Sequence, residues 1–145
     1  MKQENYHCSI TVDATPAEAM AHIKNVRGWW AKELEGSTEE LNDQFKVIFG
    51  TTWVDLRVIE NVPGRRLVWG VTDCYLPWLN DKKEWNGTHV VFDIRVTAEG
   101  CTRIDMIHIG LVPEAECFAT CEKGWDQHIK GSLFQFLTQQ EGMPV

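Results

Sequence analysis

The chain has 145 residues and a formal net charge of −7, with 43% hydrophobic and 24% charged residues. Those proportions belong to a globular chain with its own core and exclude disorder, a coiled coil or a collagen-like repeat. The negative balance weighs against nucleic acid and anionic membranes, since the basic residues are scattered and densest only at Arg65-Arg66 and Lys82-Lys83. No stretch nears the roughly 18 apolar residues of a membrane span, so no membrane role is expected.

Residues 6–13 alternate, placing Tyr6, Cys8, Ile10 and Val12 on one face of a half-buried strand. Thr15 as cap, Pro16 at the first helical position and Glu18 at the third predict a helix from Pro16 to Lys24, with Ala19, Met20 and Ile23 inward. Gly28 is expected to break it, and Trp29-Trp30 to open a second short helix that plugs one end of the fold. A polar, turn-like segment over 33–43 holds a short strand near Leu34-Glu35-Gly36, and Glu39-Glu40 reads as solvated loop.

Phe45, Val47 and Phe49 then alternate, and after Gly50-Thr51-Thr52 a strand runs through Trp53 to Val58. Pro63-Gly64 turns the chain into Leu67, Trp69 and Val71. Val90, Phe92, Ile94 and Val96 form the next strand, and Glu99-Gly100 returns it through Ile104, Met106 and His108. Strands joined by short turns imply antiparallel pairing, because a parallel neighbour requires a crossover helix. Asp55 with Arg57, and Asp93 with Arg95, read as cross-strand charge pairs on the solvent side.

The segment from Asp73 to Gly87 is too long for a tight hairpin and too aromatic for an ordinary loop. Its Asn86-Gly87-Thr88 reads as a turn, and Tyr75, Leu76, Trp78 and Leu79 as a lid over a pocket or a contact with a second subunit. The last third predicts a helix from Pro113-Glu114, ended by Gly142-Met143-Pro144. Phe118, Cys121, Trp125, Ile129, Ser132, Leu133 and Phe136 share one face at about 3.6 residues per turn. Gly124 and Gly131 within it suggest close packing or a bend.

This order of elements resembles the helix-grip fold of the START-like, or SRPBCC, superfamily. Gly28-Trp29-Trp30, the run from Val58 to Trp69, the run from Thr102 to Gly110, and Gly124-Trp125 are similar to the branch named after the activator of heat-shock protein 90 ATPase. The resemblance covers nearly the whole chain. It implies an α+β fold, a curved antiparallel sheet of about six to seven strands wrapped around a long C-terminal helix, in one domain over 1–145. Members of the superfamily bind lipids, hormones or polyketides, and some catalyse cyclisation or hydroxylation. The branch also implies a chaperone partner, although this chain is too short for the extra domain of the eukaryotic co-chaperone.

Seven tryptophans, Trp29, Trp30, Trp53, Trp69, Trp78, Trp85 and Trp125, must fill a core or line a cavity or interface. Trp69, Phe92, Met106, His108, Trp125 and Ile129 are the expected cavity lining. His108, on the concave face with Ile104 and Met106, could orient a ligand or act as acid or base; the plainer reading is a hydrogen-bonded core histidine. No Ser or Cys pairs with it in a recognisable motif, so no catalytic residue is assigned. Cys117 and Cys121, flanked by Glu114 and His128, lack the second ligand pair of a structural zinc site; neither metal nor cofactor is expected. Cys121 reads as a core residue and Cys117 as the more exposed of the two. Five cysteines without a C-x-x-C pair indicate free thiols and a cytoplasmic setting.

The leading function is binding of a small apolar or amphipathic ligand between sheet and terminal helix. One alternative is a cyclase- or hydrolase-like enzyme using His108 in the same cavity. The other is a protein-interaction module, either chaperone-associated or a homodimer.

Overall fold

A computed structural model describes residues 4–145. Strand β1 (Tyr6–Val12) buries the four residues that its alternation selects. Helix α1 (Pro16–Lys24) starts on a capping box: Thr15 Oγ1 accepts the Glu18 N–H at 3.1 Å and the Glu18 carboxylate accepts the Thr15 N–H at 2.9 Å. Gly28 does not break α1. The helix stops at Lys24, and α2 (Val26–Trp29) contains the glycine, so the two tryptophans close this short helix rather than open it. A Cβ on Gly28 would lie 2.5 Å from the Phe136 ring, which explains the glycine by packing instead of helix termination.

The remaining strands are β2 (Glu33–Gly36), β3 (Gln44–Phe49), β4 (Thr52–Val62), β5 (Arg66–Tyr75), β6 (His89–Val96) and β7 (Thr102–Ile109). They form one antiparallel seven-stranded sheet in the order β1-β7-β6-β5-β4-β3-β2. Hairpins build the meander, and β1 returns to its far edge with Ile10 opposite Ile104 and Tyr6 opposite His108. Two register shifts in β4, at Asp55/Leu56 and Val58/Glu60, add the local twist that curls the sheet. On its outer face Asp93 pairs with Arg66 at 2.7 Å, Asp55 with Lys46 at 3.9 Å and Arg95 with Asp105 at 3.8 Å.

The terminal helix differs from its predicted form at both ends and in the middle. It begins at Phe118, not Pro113, and runs as α3 (Phe118–Asp126), a π-helical segment (Gln127–Leu133) and α4 (Phe134–Gln139). The start is fixed from elsewhere in the chain. The Glu84 carboxylate accepts the backbone N–H groups of Glu116 and Cys117 at 2.7 and 3.0 Å, serving donors that no residue of the helix itself satisfies. The wider turn shifts the inner face, burying Cys121, Trp125, Ile129, Ser132, Leu133 and Leu137 and leaving Phe118 and Phe136 half-buried. Neither glycine is explained by close packing: a Cβ on Gly124 would meet nothing within 4 Å, and one on Gly131 only the Met143 methyl at 3.7 Å. Ser132 anchors the segment instead, donating to the Trp29 carbonyl at 2.6 Å and accepting the Met143 N–H at 2.7 Å.

Candidate functional site

The helix does not lie on the sheet equally along its length. Near its start a pocket of about 190 Å³ opens between α3, the β3–β4 hairpin and the 76–87 loop. The end of α2 contributes Trp30, and the hairpin contributes Phe49, Thr52 and Val54. Leu76, Trp78 and Trp85 come from the loop, and Thr120, Cys121, Gly124 and Trp125 from α3. His128 enters from the first turn of the π segment.

Loop and helix start hold each other by an exchange of carboxylates. Glu84 caps the helix start, while Glu116 accepts the Asn80 and Asp81 N–H groups at 2.8 and 3.1 Å. Those two backbone donors hold the Glu116 carboxyl below the usual carboxylate range. Leu76 and Trp78 thereby reach the pocket, and Leu79 is buried behind them. Tyr75 does not: it lies beside Trp53, ring centroids 6.5 Å apart, away from the pocket lining.

The aromatic rings form a continuous array. Trp85 stacks on Trp125 at 6.0 Å and 9°, Trp30 tilts against Trp125 at 5.1 Å, and His128 sets its edge toward both Trp30 and Trp125. Behind Trp125 lies His108, fully buried. Trp125 Nε1–H donates to His108 Nδ1 at 3.0 Å, which places the imidazole proton on Nε2, 2.9 Å from Thr88 Oγ1. The Thr88 hydroxyl in turn donates to the Trp85 carbonyl at 2.7 Å. Burial, assisted by His89, pushes the His108 pKa down to about 3. Burial alone lowers His128 to about 4, so both rings are neutral near pH 7.

Of the six residues predicted to line the cavity, Trp125 alone does so. His108 stands one layer behind it, bonded on both nitrogens. Trp69, Phe92, Met106 and Ile129 face the concave side as their pattern requires, but they are fully buried in the solid core. Trp69, for instance, is stacked on Trp30 at 5.9 Å and edged by Phe45 and Phe92. The correction is thus one of depth: these four belong to the packed core, and the pocket lies nearer the helix start. Trp30, Phe49, Trp85 and His128 were missed; the aromatic density of the 73–87 segment was the legible signal for Trp85. Cys117, expected to be the more exposed cysteine, is 1% exposed and takes the Trp85 Nε1–H at 3.4 Å. Cys121 borders the pocket, its thiol pKa raised by its hydrogen bond with Cys117 and by burial. All five thiols are free, and among the described residues no three His, Cys, Asp or Glu side chains gather as a metal site.

No family model matches the sequence, and no curated protein matches it. Solved structures do match. Aha1 from Colwellia psychrerythraea, solved in solution as a dimer, is similar with a TM-score of 0.76 and 19% identity over 95% of this chain and 98% of that one. The fold is the helix-grip fold. DynU16, a protein of the dynemicin biosynthetic locus, has a TM-score of 0.71 at 17% identity; the match covers 97% of this chain and 49% of that one. A protein from Mesorhizobium loti has a TM-score of 0.72 at 16% identity over 92% and 96% of the two chains. At these identities the likeness is one of fold.

Proposed function

We propose that the chain, acting as one domain, binds a small apolar or amphipathic molecule in the pocket at the start of the terminal helix. The lining carries this reading: it is built from indoles, aliphatic groups and small residues, and among the described residues none of its side chains is a carboxylate, lysine or arginine. Burying about 300 Å² of apolar ligand surface supplies roughly 7 kcal/mol before ordering costs, so micromolar or weaker affinity is expected. Leu76 and Trp78 act as the lid. His128, neutral and at the wall, supplies the one hydrogen bond that orients the ligand. His108 serves as a brace for Trp125: both its nitrogens are engaged, which counts against an acid–base role in a cyclase- or hydrolase-like reaction.

A homodimer is the second reading, favoured by Trp78, which is 48% exposed, and by the dimeric state of the Colwellia protein. A chaperone partner rests on the family resemblance. The free thiols favour a reducing, cytoplasmic setting, and among the described residues no helix is long and apolar enough to cross a membrane.

Mass spectrometry of the native protein, followed by organic extraction against a mock control, tests the reading together with titration by a neutral apolar fluorophore. A co-purifying apolar compound, or saturable uptake of the fluorophore, is the expected result. Absence of both overturns it. Sedimentation of the wild type against Trp78→Ser separates the dimer reading, which requires the substitution to shift the mass toward the monomer.

A further inference from the structure

Two thiols sit where the pocket meets the start of the terminal helix. Cys117 and Cys121 are one helical turn apart, the Cys121 N–H donating to the Cys117 carbonyl at 2.8 Å. Their sulfurs are joined by a hydrogen bond, and Trp85 Nε1–H donates to Cys117 Sγ at 3.4 Å. Cys121 is part of the pocket wall, and Cys117, 1% exposed, lies behind it.

We propose that this pair is a two-sulfur binding site for a small monosubstituted arsenic(III) compound, R–As(OH)2, whose organic group R fills the apolar pocket. The inference rests on the reading that the pocket binds a small molecule, and it names the class of that molecule. Each thiol displaces one hydroxide. Two As–S bonds form, two As–OH bonds break, and the two thiol protons leave with the hydroxides as two waters. Arsenic stays trivalent, so no oxidant or reductant takes part.

Span, coordination and charge select this chemistry. Side chains one helical turn apart have Cβ atoms about 5–6 Å apart, too wide for a disulfide, which needs about 3.5–4.5 Å. One bridging atom with bonds to sulfur of about 2.3 Å, the length typical of metal–thiolate bonds, spans that gap. A divalent cation requires further ligands, and among the described residues no third His, Cys, Asp or Glu side chain joins the pair. A monovalent cation on two thiolates leaves a net negative centre in a poorly solvated wall, close to Glu84, whose charge already acts on the Cys121 thiol. The arsenic product is neutral. Cys121 is held protonated by its hydrogen bond with Cys117 and by burial, which is no obstacle where the proton departs within water. Phe49, Val54, Leu76 and Trp78 supply the apolar seat for R.

Phenylarsine oxide, which hydrates to this form, is titrated into the reduced full chain at pH 7 and followed by intact-mass spectrometry and free-thiol counting. The expected product is a one-to-one adduct that removes two of the five free thiols, displaces the neutral fluorophore and is reversed by 1,2-ethanedithiol. Cys117→Ser and Cys121→Ser each leave a single sulfur and are expected to weaken binding about a hundredfold, with fluorophore uptake showing that the variants fold. Cys101→Ser, outside the pocket lining, is expected to change nothing. Arsenite, which lacks the organic group, is expected to bind about tenfold more weakly than the phenyl compound. An adduct that survives both serine substitutions, or fluorophore binding with no adduct, overturns the proposal and leaves the apolar pocket standing. An adduct on the pair in a chain that takes up no fluorophore overturns the pocket reading and, with it, the seat assigned to the organic group.

Discussion

The middle and the start of the terminal helix are made of the same material and do different things. In the middle, Ile129 and Leu133 belong to one core cluster with Trp69, Phe92 and Met106, and all five are fully buried. At the start, Trp30, Trp85, Trp125 and His128 are just as aromatic, yet they enclose a space of about 190 Å³. What separates the two is support. The middle is part of the continuous core that helix and sheet share. The start is spaced by the 76–87 loop, which reaches the helix through the Glu84 and Glu116 carboxylates and through Trp85 stacked on Trp125.

The comparison breaks most visibly in the solid layer. Trp69→Ala should cost about 3–5 kcal/mol of stability, measured by urea denaturation, and leave the affinity for a neutral fluorophore unchanged in the folded fraction. If affinity falls with stability, the two regions are one. His128→Leu should do the reverse, weakening or reorienting the bound probe with a far smaller stability change.

A pH titration sharpens the same contrast. His108 has a folded pKa near 3, below the value of about 6.5 expected in the unfolded chain. The unfolded state therefore binds the proton more readily. The stabilisation tied to the neutral ring is fully present above about pH 6.5 and is lost progressively as the pH falls toward 3, at up to about 1.4 kcal/mol per pH unit. The urea midpoint should drop from pH 7 to pH 4, and His108→Gln should reduce that slope to the part that His128, also lowered by burial, contributes. An equal slope in the variant would remove His108 as its source.

Smaller effects come from the loop. Glu84→Gln replaces one of the two accepting oxygens with an NH2 that cannot accept, so one of the Glu116 and Cys117 donors loses its partner; a loss of about 1–2 kcal/mol is expected, with faster hydrogen exchange at those amides. Gly124→Ala is the mildest change, because a Cβ there meets no atom within 4 Å. It should raise helix stability by up to about 1 kcal/mol, while a methyl group at the pocket wall trims the affinity of bulky ligands.

The sheet was legible because each strand reports its own period of two, and the capping box at Thr15 and Glu18 reports the start of α1. The start of α3 left no local trace. Its donors are served by Glu84, more than thirty residues upstream, and no periodicity within 113–139 records that partner. The π segment was hidden for a related reason: a 3.6-residue pattern is read as regular even where one wider turn displaces it, which moved Phe136 outward and Leu137 inward. At the site, alternation placed Trp69, Phe92, Met106 and His108 on the correct face. It carries no information on how far above that face the helix sits, so pocket wall and packed core looked alike. His128 was seen only as a flank of Cys117 and Cys121.

The central claim is that the ligand site lies at the helix start, apart from the packed core that holds Trp69, and the indole N–H signals of the seven tryptophans test it most directly. On titration with a neutral apolar probe, the signals of Trp30, Trp85 and Trp125 should move together with the His128 ring resonances, while those of Trp29 and Trp69 stay fixed. Movement of Trp69 with the first three, or no movement at all, would contradict the account.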